Sequence, residues 1–207
     1  METLLHPVYF PNLVTAKALT MADVVWENED NFQKQTYRNR CYICTDQGKH
    51  MLNVPIRHVG GSDGRQKYKE VRIDHSERWQ LRHWRTLQTA YRTSAFFEFY
   101  EDDLAPIFEQ RFDFLIDLNY ATLEFITTSL GFEMPTSKTQ RYEPRPTGLN
   151  DLRHLAIAKG EKGWTTEPYF QVFGDRHGFI GNLSVLDLLF NEGSNALTYL
   201  ENQKIGF

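Results

Sequence analysis

A chain of 207 residues, 41% apolar and 14% aromatic, can bury a substantial core in one domain, and its length requires no second. A formal net charge of -4 and a pI near 6.0 exclude a nucleic-acid surface covering the whole protein, which needs basic excess to release counterions. With no run of about 18 apolar residues and no basic-then-apolar leader, the expectation is a cytoplasmic protein without membrane insertion.

A short strand is predicted at residues 3–5, after which Pro7 and Pro11 hold the chain extended. Leu13, Ala16 and Thr20 lie about one helical turn apart, which predicts a short helix before a second strand at residues 24–26. Runs at residues 37–45 and 50–56 flank Asp46-Gln47-Gly48, a good turn sequence, and predict a β-hairpin. Gly60, Gly61 and Gly64 mark an exposed, mobile loop before a strand at residues 71–73. Ser76 is then expected to cap a helix running to Tyr91. Trp79, His83, Trp84, Leu87, Ala90 and Tyr91 gather on one side of it, and Arg78, Arg82, Arg85 and Arg92 on the other.

A second aromatic helix begins within residues 94–100, and residues 108–130 read as one or two more, stopped by Gly131. Residues 133–148, polar and broken by Pro135, Pro144 and Pro146, predict a loop or lid inside a single domain spanning residues 1–207. Residues 169–173 suit a strand and residues 185–190 an apolar helix, with Ser184 as its cap, Asp187 three residues later and Gly193 past its end. The expected class is α/β, with a mixed α+β arrangement as the alternative: N-terminal strands and a hairpin, then a helical second half.

Four groups of residues carry candidate chemistry. His6 and Tyr9 lie on the proline-fixed segment after the first strand, where His6 suits a general base and Tyr9 a hydrogen-bond donor; equally, the prolines only turn the chain and Tyr9 packs. Arg38 and Arg40 share one face of a strand with Asn39 on the other, so they either clamp a phosphate or carboxylate or face solvent. Asp74 precedes a helix carrying His83 within its aromatic stripe, which makes His83 a neutral base or a core residue bonded to a carbonyl. Asn182 and Ser184 open a helix whose free N–H groups suit an anion, or simply cap it. Cys41 and Cys44, three apart on a strand, point to opposite faces and read as structural, reduced thiols; no metal ligand set is predicted.

Charge is uneven along the chain. Residues 57–92 hold nine bases against four acids, and residues 98–124 eight acids against Arg111. Such segments are ordinary solvated faces or a basic shelf for a phosphate or carboxylate. No P-loop, G-x-S-x-G or G-x-G-x-x-G is present, so no cofactor is assigned, and the oligomeric state is not legible.

The ordered segments resemble the WbqC-like family, in the version common in Bacteroidetes. The resemblance rests on Pro7-Val8-Tyr9-Phe10-Pro11, Tyr37-Arg38-Asn39-Arg40, Leu52-Asn53-Val54-Pro55-Ile56, Ile73-Asp74 with Trp79, His83 and Trp84, Tyr91 with Phe96-Phe97-Glu98-Phe99-Tyr100, and Asn182-Leu183-Ser184 through Gly193. These run from near residue 5 to near residue 193. Family members often begin His-Gln-Pro-x-Tyr-x-Pro; here Leu5 stands where that His would be and His6 where the Gln would be. The resemblance implies a role in surface-polysaccharide, O-antigen-type biosynthesis. The expectation is an enzyme, a transferase in one form, acting on an anionic small molecule such as a nucleotide sugar or acyl donor. The alternative is a non-catalytic binding or scaffold protein using residues 95–100. Convergence of Arg38, Asn39, Arg40, Asp74 and His83 on one pocket favours the enzyme and dispersal the scaffold.

Overall fold

In a computed structural model, residues 1–21, 23–57, 66–159 and 163–207 are described. The architecture is mixed α/β. β1 (Thr3–Leu5) leads through α1 (Leu13–Leu19) to β2 (Val24–Trp26), which lies parallel to β1 with Leu5 opposite Trp26. All three residues of β1 are buried, as befits a parallel strand covered on both faces. On its other side β1 pairs, again parallel, with the two-residue β5 (Asn150–Asp151), giving the order β2-β1-β5. A single parallel bridge from Trp26 to Lys138 lays residues 137–139 of the polar loop along β2.

The hairpin forms as β3 (Arg40–Thr45) and β4 (Gly48–Asn53), antiparallel, with Thr45 opposite Gly48. Gly48 takes φ +92°, the left-handed geometry that the turn sequence predicts for a glycine. The expected strand start at Tyr37 is overturned: residues 37–39 form a turn and the ladder begins at Arg40. Residues 71–73 contribute isolated bridges, Arg72 to Phe114 and Ile56 to Ile73. The glycines at 60, 61 and 64 lie outside the described residues.

α2 (Trp79–Tyr91), α3 (Phe97–Glu109) and α4 (Leu115–Leu130) make the helical layer. α2 buries Trp79, His83, Leu87, Ala90 and Tyr91 and exposes Arg78, Arg82 and Arg85, as its periodicity predicts. Its N-cap is Arg78 rather than Ser76, and no side chain caps it; the N–H of Ser76 is held by Asp74 Oδ1 at 2.9 Å. Gly131 closes α4 at φ +87°. After a one-turn α5 (Gly174–His177), α6 (Val185–Glu192) and α7 (Ala196–Asn202) complete the chain. Residues 169–173 form no strand. Tyr169 and Gln171 instead turn their side chains onto the buried carboxylate of Asp187, at 2.6 and 2.9 Å.

The main core gathers Tyr9 and Phe10 with the inner faces of the hairpin, α2, α3, α4 and α6. A second cluster fills the space between the parallel sheet and α1. Among the described residues no helix is long and apolar enough to cross a membrane.

Candidate active site at the carboxyl end of the parallel sheet

β1 is the strand at which the order of connections reverses, since β2 flanks it on one side and the much later β5 on the other. Ligands of open α/β sheets bind outside the carboxyl ends of the strands at such a reversal. His6 follows β1, Glu27 follows β2, and Asp151 ends β5 with Arg153 just beyond. A cleft of about 200 Å³ opens there, walled by His6, Asp30, Arg38, Tyr142, Asp151 and Arg153 among others.

Arg38 is 1% exposed, and its position is fixed from three sides. Its Nη2 donates to His6 Nε2 at 2.6 Å and to Asp30 Oδ2 at 2.9 Å. Its guanidinium lies 5.2 Å from the ring centre of Tyr68, and its backbone carbonyl accepts from Asn119 of α4. Tyr68 in turn donates to the carbonyl of Pro7, so one tyrosine ties the segments that carry His6 and Arg38.

Burial is the largest influence on His6, and with the Arg38 charge it outweighs the hydrogen bond to Asp30, lowering the imidazole to about 4. The ring is therefore neutral near pH 7. The Asp30 oxygen at 3.3 Å would favour a proton on Nε2, but the guanidinium at 2.6 Å can only donate, so Nε2 carries the lone pair and Nδ1 the hydrogen. Burial raises Asp30, but its polar partners, the Arg38 guanidinium at 2.9 Å among them, win and hold its carboxyl below the ordinary value.

Opposite, Arg153 is already held by two carboxylates. It grips Asp151 with Nε and Nη2 at 2.8 and 2.6 Å, and its Nη1 reaches the buried Glu27 at 3.2 Å. The forked bond to Arg153 depresses Asp151 below the usual carboxylate range. Three buried polar atoms of the cleft walls have no partner among the described residues: His6 Nδ1, Arg38 Nε and Arg38 Nη1. All three are donors, so the cleft's unmet demand is for an acceptor.

The other expected residues disperse. Tyr9 and His83, 0% and 2% exposed, meet in the core, where Tyr9 Oη lies 2.9 Å from His83 Nδ1. Burial lowers His83 to about 3 against a bond to the Asn53 backbone, the core alternative for this histidine. Arg38 and Arg40 do not share a strand face, because Arg38 sits in the turn before β3. Arg40 lines a separate cleft of about 400 Å³ with Asn39, whose Nδ2 donates to Val54 O at 3.0 Å. Asp74 holds the N–H of Ser76. Asn182 Oδ1 accepts from Val14 N–H at 3.0 Å, while Ser184 caps α6 and donates to Phe10 O.

Glu27, Asp30, Asp151 and Arg153 escaped the sequence reading. For Glu27, Asp151 and Arg153 the available signal was position alone, a charged residue at or just beyond the end of a parallel strand, and Asp30 had none. Cys41 and Cys44 are buried free thiols, both raised by burial, Cys44 to about 11.

A family model described as the WbqC-like protein family matches residues 6–166. The uncharacterized protein Rv1507c of Mycobacterium tuberculosis (strain ATCC 25618 / H37Rv) is 29% identical over 195 residues, covering 82% of this chain and 83% of its own. No solved structure matches the chain.

Proposed function

The chain belongs to the WbqC-like protein family, and we propose that it is a cytoplasmic enzyme of surface-polysaccharide assembly. In this reading it takes the acceptor-bearing end of an anionic small molecule, such as a nucleotide sugar or acyl donor, into the His6–Arg38 cleft. The observation that carries it is the set of three unpartnered donors on two buried side chains at the sheet's carboxyl end. Dispersal of Asp74, His83 and Arg40 counts toward a scaffold. Against this stand the different convergence around His6 and the burial of Phe97 and Tyr100, which leaves Phe99 as the large exposed apolar side chain of residues 95–100.

The chemistry that suits these donors is group transfer. A carbonyl or phosphoryl oxygen held against Arg38 and the His6 Nδ1–H gains negative charge as a nucleophile adds, and fixed donors stabilise that charge without reorganising. Asp30 holds the guanidinium in place, and Arg153, neutralised by Asp151 and Glu27, does not compete for the oxygen. His6 acts here as an uncharged donor rather than the expected general base.

Thermal-shift and calorimetric titration with nucleotide sugars and acyl-coenzyme A compounds test this reading. A ligand that stabilises the native protein should bind at least tenfold more weakly to His6→Gln. It should also bind that much more weakly to an Asp30→Asn, Arg38→Met double variant, which strands no lone carboxylate. Equal binding by all three folded proteins sinks the proposal.

A further inference from the structure

A cleft of about 770 Å³ lies far along the chain from the His6 residues, between α2 and the tip of the β3–β4 hairpin. Arg78, Arg82 and Arg85 line one wall in a column, three to four residues apart on a single helix face. His50 stands across from them on β4, and Leu81, 38% exposed, and the partly buried Phe173 supply apolar surface. Arg176 and His177 of α5 both contact the Asp46 carbonyl, at 3.1 and 3.0 Å, and so bring α5 against the hairpin tip.

Three guanidiniums on one face repel one another unless an anion lies between them. Of the three, Arg82 has an ion-pair partner, Glu77 at 3.0 Å, and both side chains are more than half exposed. An exposed pair of this kind is weak and yields readily to a stronger anion. A single carboxylate would match one fork and leave two unmatched. Adjacent phosphates present several acceptor oxygens over the spacing of successive turns, and the cleft volume falls in the range of small-molecule sites. By contrast, the His6 cleft, at about 200 Å³, has room only for the reacting end of such a ligand.

We propose that this groove is a second ligand site, binding a phosphate ester whose phosphates lie on the Arg78, Arg82 and Arg85 column and whose organic body rests on Leu81 and Phe173. The site stands independently of the His6 reading. Inorganic pyrophosphate, uridine diphosphate, a short-chain alkyl diphosphate and an oligoglutamate peptide, each titrated calorimetrically against the full chain, test it.

The expected result is that uridine diphosphate or the alkyl diphosphate binds more tightly than pyrophosphate, showing that the body is recognised and which kind suits. That binding should fall at least tenfold in Arg82→Gln, Arg85→Gln, weaken with added salt, and persist in His6→Gln. Arg82 and Arg85 are exposed, so circular dichroism should show the double variant folded, and the same measurement checks that His6→Gln, at a buried position, keeps its fold. No binding of either ester, binding unchanged in the double variant, pyrophosphate matching the esters, or oligoglutamate binding in their place would each overturn the proposal.

Discussion

His6 and His83 are both neutral imidazoles, but one faces a guanidinium and the other a phenol, and both carry a cost in acid. Each ring titrates near 6.5 when unfolded, against about 4 and about 3 in the folded protein. The folded state therefore binds fewer protons, and stability rises with pH across the intervening window. Their contribution is complete above about pH 6.5 and is lost as pH falls toward 4, by about 1.4 kcal/mol per unit for each ring. Asp187, raised by burial, works the other way and favours the fold most below its unfolded value. Urea unfolding at pH 7, 5.5 and 4.5 should show this decline, and His83→Gln should roughly halve its slope; identical slopes would clear His83 of the effect. His6 was legible because a proline-fixed residue after a strand is a conspicuous place for chemistry. Arg38 was legible as a charge but not as a partner of His6, because reading the strand from Tyr37 paired it with Arg40. Asp30 lies in an irregular stretch without period, where nothing local shows that it is buried at 6% exposure against an arginine.

Elements with local causes read well. The hairpin turn is written in Asp46-Gln47-Gly48, the end of α4 in Gly131, and the two faces of α2 in their spacing. Elements with distant causes do not. α1 was legible from the spacing of Leu13, Ala16 and Thr20 alone, with no polar face to mark it, because every residue in it is buried, even Lys17, whose Nζ reaches the carbonyl of Glu201 at 2.7 Å. β5 is two residues long and exists only because β1 offers it a ladder. The start of α1 depends on both ends of the chain: Asn12 caps Thr15, and Asn182 takes the N–H of Val14. Asn182 also adopts φ +49°, which disfavours any residue with a Cβ less able than Asn to bond locally. Asn182→Ala should therefore cost about 1–2 kcal/mol for the cap and roughly 1 kcal/mol more for the backbone, while Asn182→Gly loses mainly the cap. Denaturant midpoints that place glycine no higher than alanine would remove the backbone part of this account. At Gly193 a Cβ would sit 2.6 Å from the Phe96 ring, so Gly193→Ala should destabilise by about 1–3 kcal/mol through overpacking, read from the same melts.

Across the whole molecule, the three parallel strands are too short to specify a sheet by pattern, and charge at their ends joins them. Arg153, 10% exposed in its side chain, bridges Glu27 at the end of β2 to Asp151 at the end of β5, across the strand that delivers His6. Its Nη2 also approaches the carbonyl of Pro144 at 3.4 Å, which holds the polar loop carrying Tyr142 against the cleft. One side chain thus couples sheet, loop and site. Burying such a pair gains little over apolar packing, but removing one member leaves a carboxylate with too few partners. Among the described residues, Glu27, at 1% exposure, would keep only the N–H of Glu29 and the hydroxyl of Thr139. Arg153→Met should cost about 3–5 kcal/mol, and adding Glu27→Gln should restore part of that loss, because the amide needs no counter-charge. A double-mutant cycle by urea unfolding at pH 7 measures the coupling. Strictly additive losses would mean that Arg153 acts on β5 and the loop alone, and that β2 is held by its ladder without help from the charge.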